Sequence, residues 1–120
     1  MLVGATLPAA CFSERAQVTA PTGGRCSVPL DPSVVGTTLV AIRDFAFAPT
    51  ELRIKAGTTV TWVNCEPPAT PSHTSTSDQG VWNSPLLDPG TTFSRTFDQP
   101  GTFAFHCEPH PFMTATVVVE

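Results

Sequence analysis

Prolines and glycines divide this sequence into short segments, and their spacing limits the folds that the chain can adopt. Thirteen Pro and eight Gly are spread over 120 residues. A proline inside a helix removes a hydrogen bond and clashes with the preceding turn. The segments between these residues are rich in Val, Thr and Phe, which favour strands. The pattern therefore excludes long helices and predicts an all-β domain.

Eight runs have the length and composition of strands, and all of them follow Gly36. Pro89-Gly90 and Pro100-Gly101 predict type II turns, because Pro presets φ at the second turn position and Gly accepts positive φ at the third. Short strands at this spacing indicate a β-sandwich. The predicted strands are Thr37–Arg43, Ala46–Phe47, Leu52–Ile54, Thr58–Asn64, His73–Ser77, Thr92–Phe97, Thr102–Cys107 and Ala115–Val119.

The first 36 residues differ in character from the rest. They contain Pro, Gly, Ser and two of the four cysteines without a sustained hydrophobic period. This predicts an N-terminal extension over residues 1–36 and one domain over residues 37–120. We interpret the mildly apolar start as a tail, since it lacks a charged beginning. The second interpretation is the trimmed end of an export signal, with Cys11 as a candidate site of lipid attachment.

Charge and hydropathy argue against nucleic-acid binding and against a membrane-spanning helix. The net charge is −4 and the six Lys and Arg are scattered singly, so the chain has no basic surface for nucleic acid. No stretch approaches the roughly twenty apolar residues that a membrane-spanning helix requires.

Alternation along the strands assigns side chains to the two faces of each sheet. Phe103, Phe105 and Cys107 share one face, which their bulk marks as the core. We therefore expect Cys107 to point inward and His106 outward. Trp62 is predicted to belong to the core for the same reason.

One predicted strand does not fit simple alternation. Phe93, Arg95 and Phe97 have the same parity, so an arginine would face inward with two phenylalanines. A buried guanidinium needs a partner or a route to solvent, and the sequence identifies neither.

The segment FHCEPHPFM, residues 105–113, contains three side chains that bind soft metals. Cys107, His110 and Met113 are spaced at three residues, but Pro109 and Pro111 prevent a helix there. The segment must be a loop, and a loop can bring a thiolate, an imidazole and a thioether to one point. Two His and one Cys with a weak axial Met are characteristic of electron-transfer copper.

The second histidine of such a site is expected to be His73. Only three His are present, and alternation turns His106 away from Cys107. His73 follows a Pro-rich loop and opens a predicted strand. The hydroxyl of Thr74, directly after it, is predicted to link the two ligand loops through a hydrogen bond.

Over residues 37–120 the chain resembles the small type 1 blue copper proteins, or cupredoxins. Plastocyanin is one relative, and the loop at 107–113 is most similar to that of amicyanin. The spacing Cys-x2-His-x2-Met before a Val-rich last strand is specific to this group. The segments that carry the resemblance are DQGVWNS (78–84), LDPGTTF (87–93), FDQPGTFAFHCEPHPFM (97–113) and VVV (117–119).

The resemblance implies a cupredoxin Greek-key β-sandwich of about seven to eight strands that binds one copper ion. His73, Cys107 and His110 would be the strong ligands and Met113 the axial ligand. The implied function is one-electron transfer between redox proteins, through a Cu(I)/Cu(II) site, without enzymatic activity of its own.

Partners would dock on an apolar surface near His110, Pro111 and Phe112, and we expect a monomer. A copper carrier or storage protein is one alternative, and a cupredoxin domain of a larger redox enzyme is another. Three His are too few for the trinuclear centre of a multicopper oxidase. A structural zinc site is disfavoured because zinc seldom uses a thioether.

If Cys107 binds the metal, three cysteines are left over and cannot all pair. A free thiol near Cu(II) would be open to oxidation. We therefore favour a Cys26–Cys65 disulfide, with Cys11–Cys26 as the alternative. Either pairing implies an oxidising compartment, which agrees with a periplasmic or other extracytoplasmic location, with or without a membrane anchor.

Overall fold

The computed structural model describes Cys26 and residues 37–120, and this part of the chain forms eight β-strands. No helix in these residues is long and apolar enough to cross a membrane. The strands are β1 (Thr38–Arg43), β2 (Ala46–Ala48), β3 (Glu51–Ile54), β4 (Thr58–Asn64), β5 (Thr76–Ser77), β6 (Thr92–Phe97), β7 (Gly101–His106) and β8 (Thr114–Val119).

The strands form two four-stranded sheets. One sheet has the order β2-β1-β4-β6 and the other β3-β8-β7-β5. The pairs β1·β4 and β3·β8 are parallel, and the remaining pairs are antiparallel. The predicted all-β sandwich is confirmed, and β4 and β6 have the bounds that the sequence pattern gave them.

The predicted strand at His73–Ser77 is wrong over its first three residues. Only Thr76 and Ser77 belong to β5. His73 instead forms an isolated bridge with Leu87, and Ser75 O accepts a hydrogen bond from Ser84 N. The backbone of this segment is therefore satisfied by residues 84–87 and not by a neighbouring strand, which local composition does not show.

The core lies between the two sheets and is centred on Trp62, which has no exposed surface. Its ring lies 5.7 Å from the ring of Trp82 and 5.5 Å from that of Phe105. Phe105 also packs edge-on against Phe47 at 4.7 Å. Such aromatic pairs add to the free energy of burial. The predicted inward faces are confirmed, since Trp62 of β4, Phe105 of β7 and Cys107, directly after β7, are all buried in this cluster.

The structure explains the arginine on β6. The guanidinium carbon of Arg95 lies 5.6 Å from the Trp82 ring centroid and 5.4 Å from that of Phe97. A cation over aromatic faces is favourable, and Arg95 is only partly buried. The inward parity of Arg95 therefore reflects stacking at the open edge of the sandwich.

The two predicted Pro-Gly turns differ. Gly90 has a φ of 91°, and Thr91 N donates a hydrogen bond to Asp88 O, as a type II turn requires. Gly101 has a φ of 152° and already pairs with Val119 as the first residue of β7. The type II turn predicted at Pro100-Gly101 is therefore wrong.

A second, smaller apolar cluster covers the outer face of β1 and β4. Leu39, Ala41, Val63 and Cys65 are buried there, and Cys26 packs against them. A disulfide joins Cys26 to Cys65, so the favoured pairing is confirmed. Residues 1–25 and 27–36 lie outside the described residues, so the extent of the N-terminal extension and lipid attachment at Cys11 remain predictions.

Candidate metal centre

The loop between β7 and β8 is closed by three backbone hydrogen bonds that join the predicted ligand residues in pairs. His110 N donates to Cys107 O, Met113 N donates to His110 O, and Cys107 N donates to Met113 O. Pro111 occupies the second position of the turn from His110 to Met113, where its fixed φ is favourable. The three-residue spacing seen in the sequence therefore corresponds to two successive turns.

The structure brings three of the four predicted ligand residues to one point. The Nδ1 atoms of His73 and His110 lie 3.7 Å and 3.6 Å from Cys107 Sγ. The ligand atoms of all three residues lie within 4.8 Å of one another. Cys107, directly after β7, and His110 come from the β7–β8 loop, as predicted, whereas His73 lies in the segment before β5 and not in a strand.

These separations fit one metal ion between the three atoms. With bond lengths typical of a divalent ion such as zinc, about 2.3 Å to sulfur and about 2.0 Å to nitrogen, the two donor atoms lie about 3.5–3.7 Å apart at angles between tetrahedral and trigonal. Met113 is buried in the same core cluster as Cys107, and its backbone is hydrogen-bonded to Cys107. Its axial role remains a prediction.

The Cys107 sulfur lies in a buried environment with one hydrogen-bond donor aimed at it. Cys107 and His73 have no exposed surface, whereas His110 is partly exposed. Thr74 N lies 3.4 Å from Cys107 Sγ and donates a hydrogen bond to it. A donor at this position stabilises negative charge on the sulfur.

The predicted role of Thr74 in linking the two ligand segments is confirmed. Its Oγ1 accepts a hydrogen bond from Glu108 N at 2.9 Å. Thr74 follows His73 and Glu108 follows Cys107, so this contact fixes the two segments relative to each other.

Glu66 is a site residue that the sequence analysis missed. It is buried, and its Oε2 lies 3.4 Å from His73 Nε2 and accepts a hydrogen bond from Phe45 N at 3.2 Å. The contact acts through charge, because His73 Nε2 makes no hydrogen bond within the described part of the chain. The available signal was an acidic residue directly after the end of β4, in the loop that leads to His73.

Burial favours the neutral form of His73. Desolvation lowers the pKa of His73, the nearby His110 lowers it further, and Glu66 opposes both effects. A neutral imidazole can offer Nδ1 to a metal without first losing a proton.

Phe45 is the second residue that the sequence analysis missed. It occupies the turn between β1 and β2 with a φ of 55°, a conformation that is rare for a bulky residue. Its ring packs edge-on against His73 at 5.4 Å and against His110 at 5.1 Å. Phe45 therefore covers both imidazoles from one side.

His106 faces outward, as predicted, and binds two carboxylates. Its Nδ1 lies 2.5 Å from Asp78 Oδ1 and its Nε2 lies 2.8 Å from Glu108 Oε2. The hydrogen bond to Asp78, followed by that to Glu108, raises the pKa of His106.

This arrangement predicts a pH-dependent contribution of His106 to folding stability. Because the pKa is raised in the folded state, the stabilisation is complete below the unfolded value of 6.5 and disappears as pH rises through the folded pKa. We expect a loss below about 1 kcal/mol, since the ring is near the surface. Urea unfolding of the copper-free protein between about pH 6 and pH 9 measures this loss. The variant His106→Gln should not show this loss. If the free energy of unfolding depended on pH in the same way in both proteins, the prediction would be contradicted.

The two-sheet sandwich, with a cysteine sulfur and two imidazoles brought together beside its core, defines the class of protein: a small cupredoxin with a mononuclear metal site. Comparison with known proteins then identifies the family. The sequence profile of the copper binding proteins of the plastocyanin/azurin family matches residues 34–120. The chain belongs to this family.

Individual relatives agree with this assignment. Amicyanin-alpha of Methylorubrum extorquens is 44% identical over 89 residues, which cover 71% of this chain and 73% of the relative. Amicyanin of Paracoccus denitrificans is 36% identical over 87 residues, which cover 71% and 66%. Among solved structures, an oxidised amicyanin variant superposes with a TM-score of 0.64 at 32% identity, covering 87% of this chain and 99% of that structure. A purple cupredoxin from Nitrosopumilus maritimus gives 0.62 at 28% identity, covering 68% and 98%.

Proposed function

We propose that this protein is a small blue copper electron carrier that passes one electron at a time between redox proteins. The observation that carries the proposal is the approach of two imidazole Nδ1 atoms to the buried Cys107 Sγ, at 3.7 Å and 3.6 Å. Bound copper supplies the one-electron Cu(I)/Cu(II) couple. The chain itself supplies the ligands, excludes water and provides a surface for partners.

The proposed ligands are His73, Cys107 and His110 as the strong set and Met113 as the weak axial ligand. Two nitrogens and a thiolate in one plane, with a distant thioether, are typical of electron-transfer copper. The burial of Met113 beside Cys107 supports its role. A dry site with a thiolate also disfavours hard ions such as magnesium and calcium, which prefer oxygen ligands.

The hydrogen bonds around the ligands support fast transfer. Turns hold Cys107, His110 and Met113, and the contact between Thr74 and Glu108 holds the loop against the His73 segment. Because these bonds do not depend on the charge of the centre, the ligands can keep one arrangement in both oxidation states. A small rearrangement lowers the barrier to electron transfer.

The proposed route for electrons is the edge of His110. The surface around it, which we call the His110 face, consists of His110, Pro109, Pro111, Phe112 and Phe45. Phe112 is 69% exposed and Phe45 is 41% exposed. The rings of Phe45 and Phe112 lie 6.4 Å apart and both pack against His110, so these exposed apolar side chains form one contiguous patch, which supports an interaction site. Transient redox complexes use small interfaces.

The location that we infer is extracytoplasmic. The Cys26–Cys65 disulfide supports an oxidising compartment, since such bonds are rare where thiols are kept reduced. Attachment of a lipid at Cys11 is a separate prediction from the sequence and could be examined by mass spectrometry of the protein from its native membrane fraction.

The visible spectrum of the copper-loaded protein tests the proposed function. A thiolate bound to Cu(II) should give an intense visible band that disappears on one-electron reduction and returns on reoxidation. A colourless Cu(II) complex would favour the alternative of a copper carrier or store. A reversible couple together with turnover of a substrate would indicate a domain of a redox enzyme.

We expect His110→Gly to keep the fold but open the centre to small ligands. His110 is the most exposed of the proposed ligands, so the loss of its ring leaves the core intact. The visible band should shift, and added imidazole should restore the original spectrum. His106→Gln, which alters the neighbouring non-ligand histidine, should leave the band unchanged. An unaltered spectrum for His110→Gly would count against its ligand role.

A further inference from the structure

A line of hydroxyl groups leads away from the metal centre beyond Thr74. Thr74 Oγ1 lies 2.8 Å from Thr76 Oγ1, and Thr76 Oγ1 donates a hydrogen bond to Asn83 Oδ1 at 2.8 Å. Both threonines are buried, and Asn83 is exposed. The line therefore connects the sulfur environment with the protein surface.

The number of protons fixes the direction of these hydrogen bonds. Thr74 Oγ1 already accepts from Glu108 N, so its single proton is available for Thr76. Thr76 accepts that proton and uses its own for Asn83 Oδ1, which can only accept. Each hydroxyl thus donates once and accepts once. Because a hydroxyl that donates becomes a better acceptor, every bond in such a line strengthens the others.

Two backbone pairings fix the position of Thr76 between Thr74 and Asn83. It lies opposite His106 on β7 and forms an isolated bridge with Asn83. Ser75, on the opposite face, accepts a hydrogen bond from Trp82 Nε1 at 2.9 Å. The segment from Thr74 to Thr76 therefore cannot turn its hydroxyls elsewhere without breaking contacts in the core.

We propose that Thr76 and Asn83 are positioning residues that hold Thr74 in the orientation in which its N–H donates to Cys107 Sγ. This inference rests on the proposed function and deepens it. Neither residue contacts a proposed ligand side chain through this line. They act by strengthening the Thr74 hydroxyl as the acceptor for Glu108 N, which keeps the loop at Cys107 against the Thr74 backbone.

The direction of the effect on the copper couple follows from charge. The reduced centre holds one more electron than the oxidised centre, and an N–H aimed at the sulfur stabilises that extra negative charge. Hydrogen bonding around the Cys sulfur is a recognised means of tuning the potential of such sites. Loss of the hydrogen bonds that run from Thr74 through Thr76 to Asn83 should weaken the hydrogen bond from Thr74 N to Cys107 Sγ. The reduction potential should therefore fall.

The test compares Thr76→Val, which removes the hydroxyl with little change in shape, with Thr76→Ser, which keeps it. In the copper-loaded protein, Thr76→Val should lower the equilibrium constant for reduction about threefold, or about 28 mV for a one-electron couple. Thr76→Ser should match the wild type. Asn83→Ala, at an exposed position with little risk to folding, should shift the potential in the same direction by a smaller amount.

Amide hydrogen exchange in the copper-free protein gives a second readout that does not depend on the copper couple. The Glu108 N–H should exchange about tenfold faster in Thr76→Val than in Thr76→Ser, because its acceptor is weakened. Equal Glu108 exchange rates and equal potentials in both variants would overturn the inference, even if Thr76→Val were less stable. If the wild type showed no reversible copper couple, the proposed function would fail, and the exchange rates would still decide the role of Thr76.

Discussion

Replacing Cys107 with Ser is expected to abolish the visible colour of the copper-loaded protein. The intense band requires a thiolate bound to Cu(II), and a serine hydroxyl neither ionises at neutral pH nor offers a soft donor. Because Ser is close in size and Thr74 N can still donate to it, the copper-free variant should remain folded. Burial of the hydroxyl should cost about 1–3 kcal/mol. Absorption spectroscopy of the copper-loaded variant measures the loss of colour. Urea unfolding of the copper-free variant, followed by circular dichroism, measures the loss of stability.

Met113→Leu is the matched control for this variant. It keeps the volume of a buried side chain and all three strong ligands, so its colour should persist. A coloured Cys107→Ser protein would contradict the assignment of Cys107. A colourless Met113→Leu protein would show that the thioether contributes more than a weak axial bond.

Removal of the Cys26–Cys65 disulfide is expected to lower the free energy of unfolding by about 4 kcal/mol. The bond joins residues separated by 39 positions, and closing a loop of that length reduces the entropy of the unfolded chain by about this amount. The double variant Cys26→Ala/Cys65→Ala, in its copper-free form, should therefore unfold at much lower urea concentration than the wild type.

A thiol reductant provides the control for the disulfide prediction. It should destabilise the copper-free wild type to a similar extent and have no effect on the double variant. A difference of less than about 1 kcal/mol between the two proteins would contradict the chain-entropy argument. The visible spectrum of the double variant should also be recorded, because Cys65 precedes Glu66, which contacts His73.

Features encoded within one strand or one loop were predictable from the sequence. Alternation placed Trp62 and Cys107 in the core, since bulk and period are local properties. The loop from Cys107 to Met113 could be interpreted because its soft donors and prolines lie within seven residues. The ligand role of His73 could be predicted only because the chain has three His, which left few candidates.

Contacts between distant segments were predictable only where a shared chemistry indicated them, as for the Cys26–Cys65 disulfide and for His73 with Cys107; the other long-range contacts were missed. Glu66 meets Phe45 across 21 positions, and no local pattern indicates that a turn after β1 covers the imidazoles. The inward parity of Arg95 showed that the residue needed a partner. The partner could not be predicted, because Trp82 lies in another segment. The first residues of the predicted strand at His73–Ser77 pair with the chain near Leu87, and this choice depends on tertiary packing.

The difference in exposure between His73 and His110 limits how the protein can exchange electrons with its partners. His73 is wholly enclosed, and His110 alone among the proposed ligands is partly exposed. If electrons enter and leave through that single edge, the donor and the acceptor must compete for it and visit in succession. The carrier would then shuttle by diffusion between them, and a redox-inert analogue of one partner should block the other competitively.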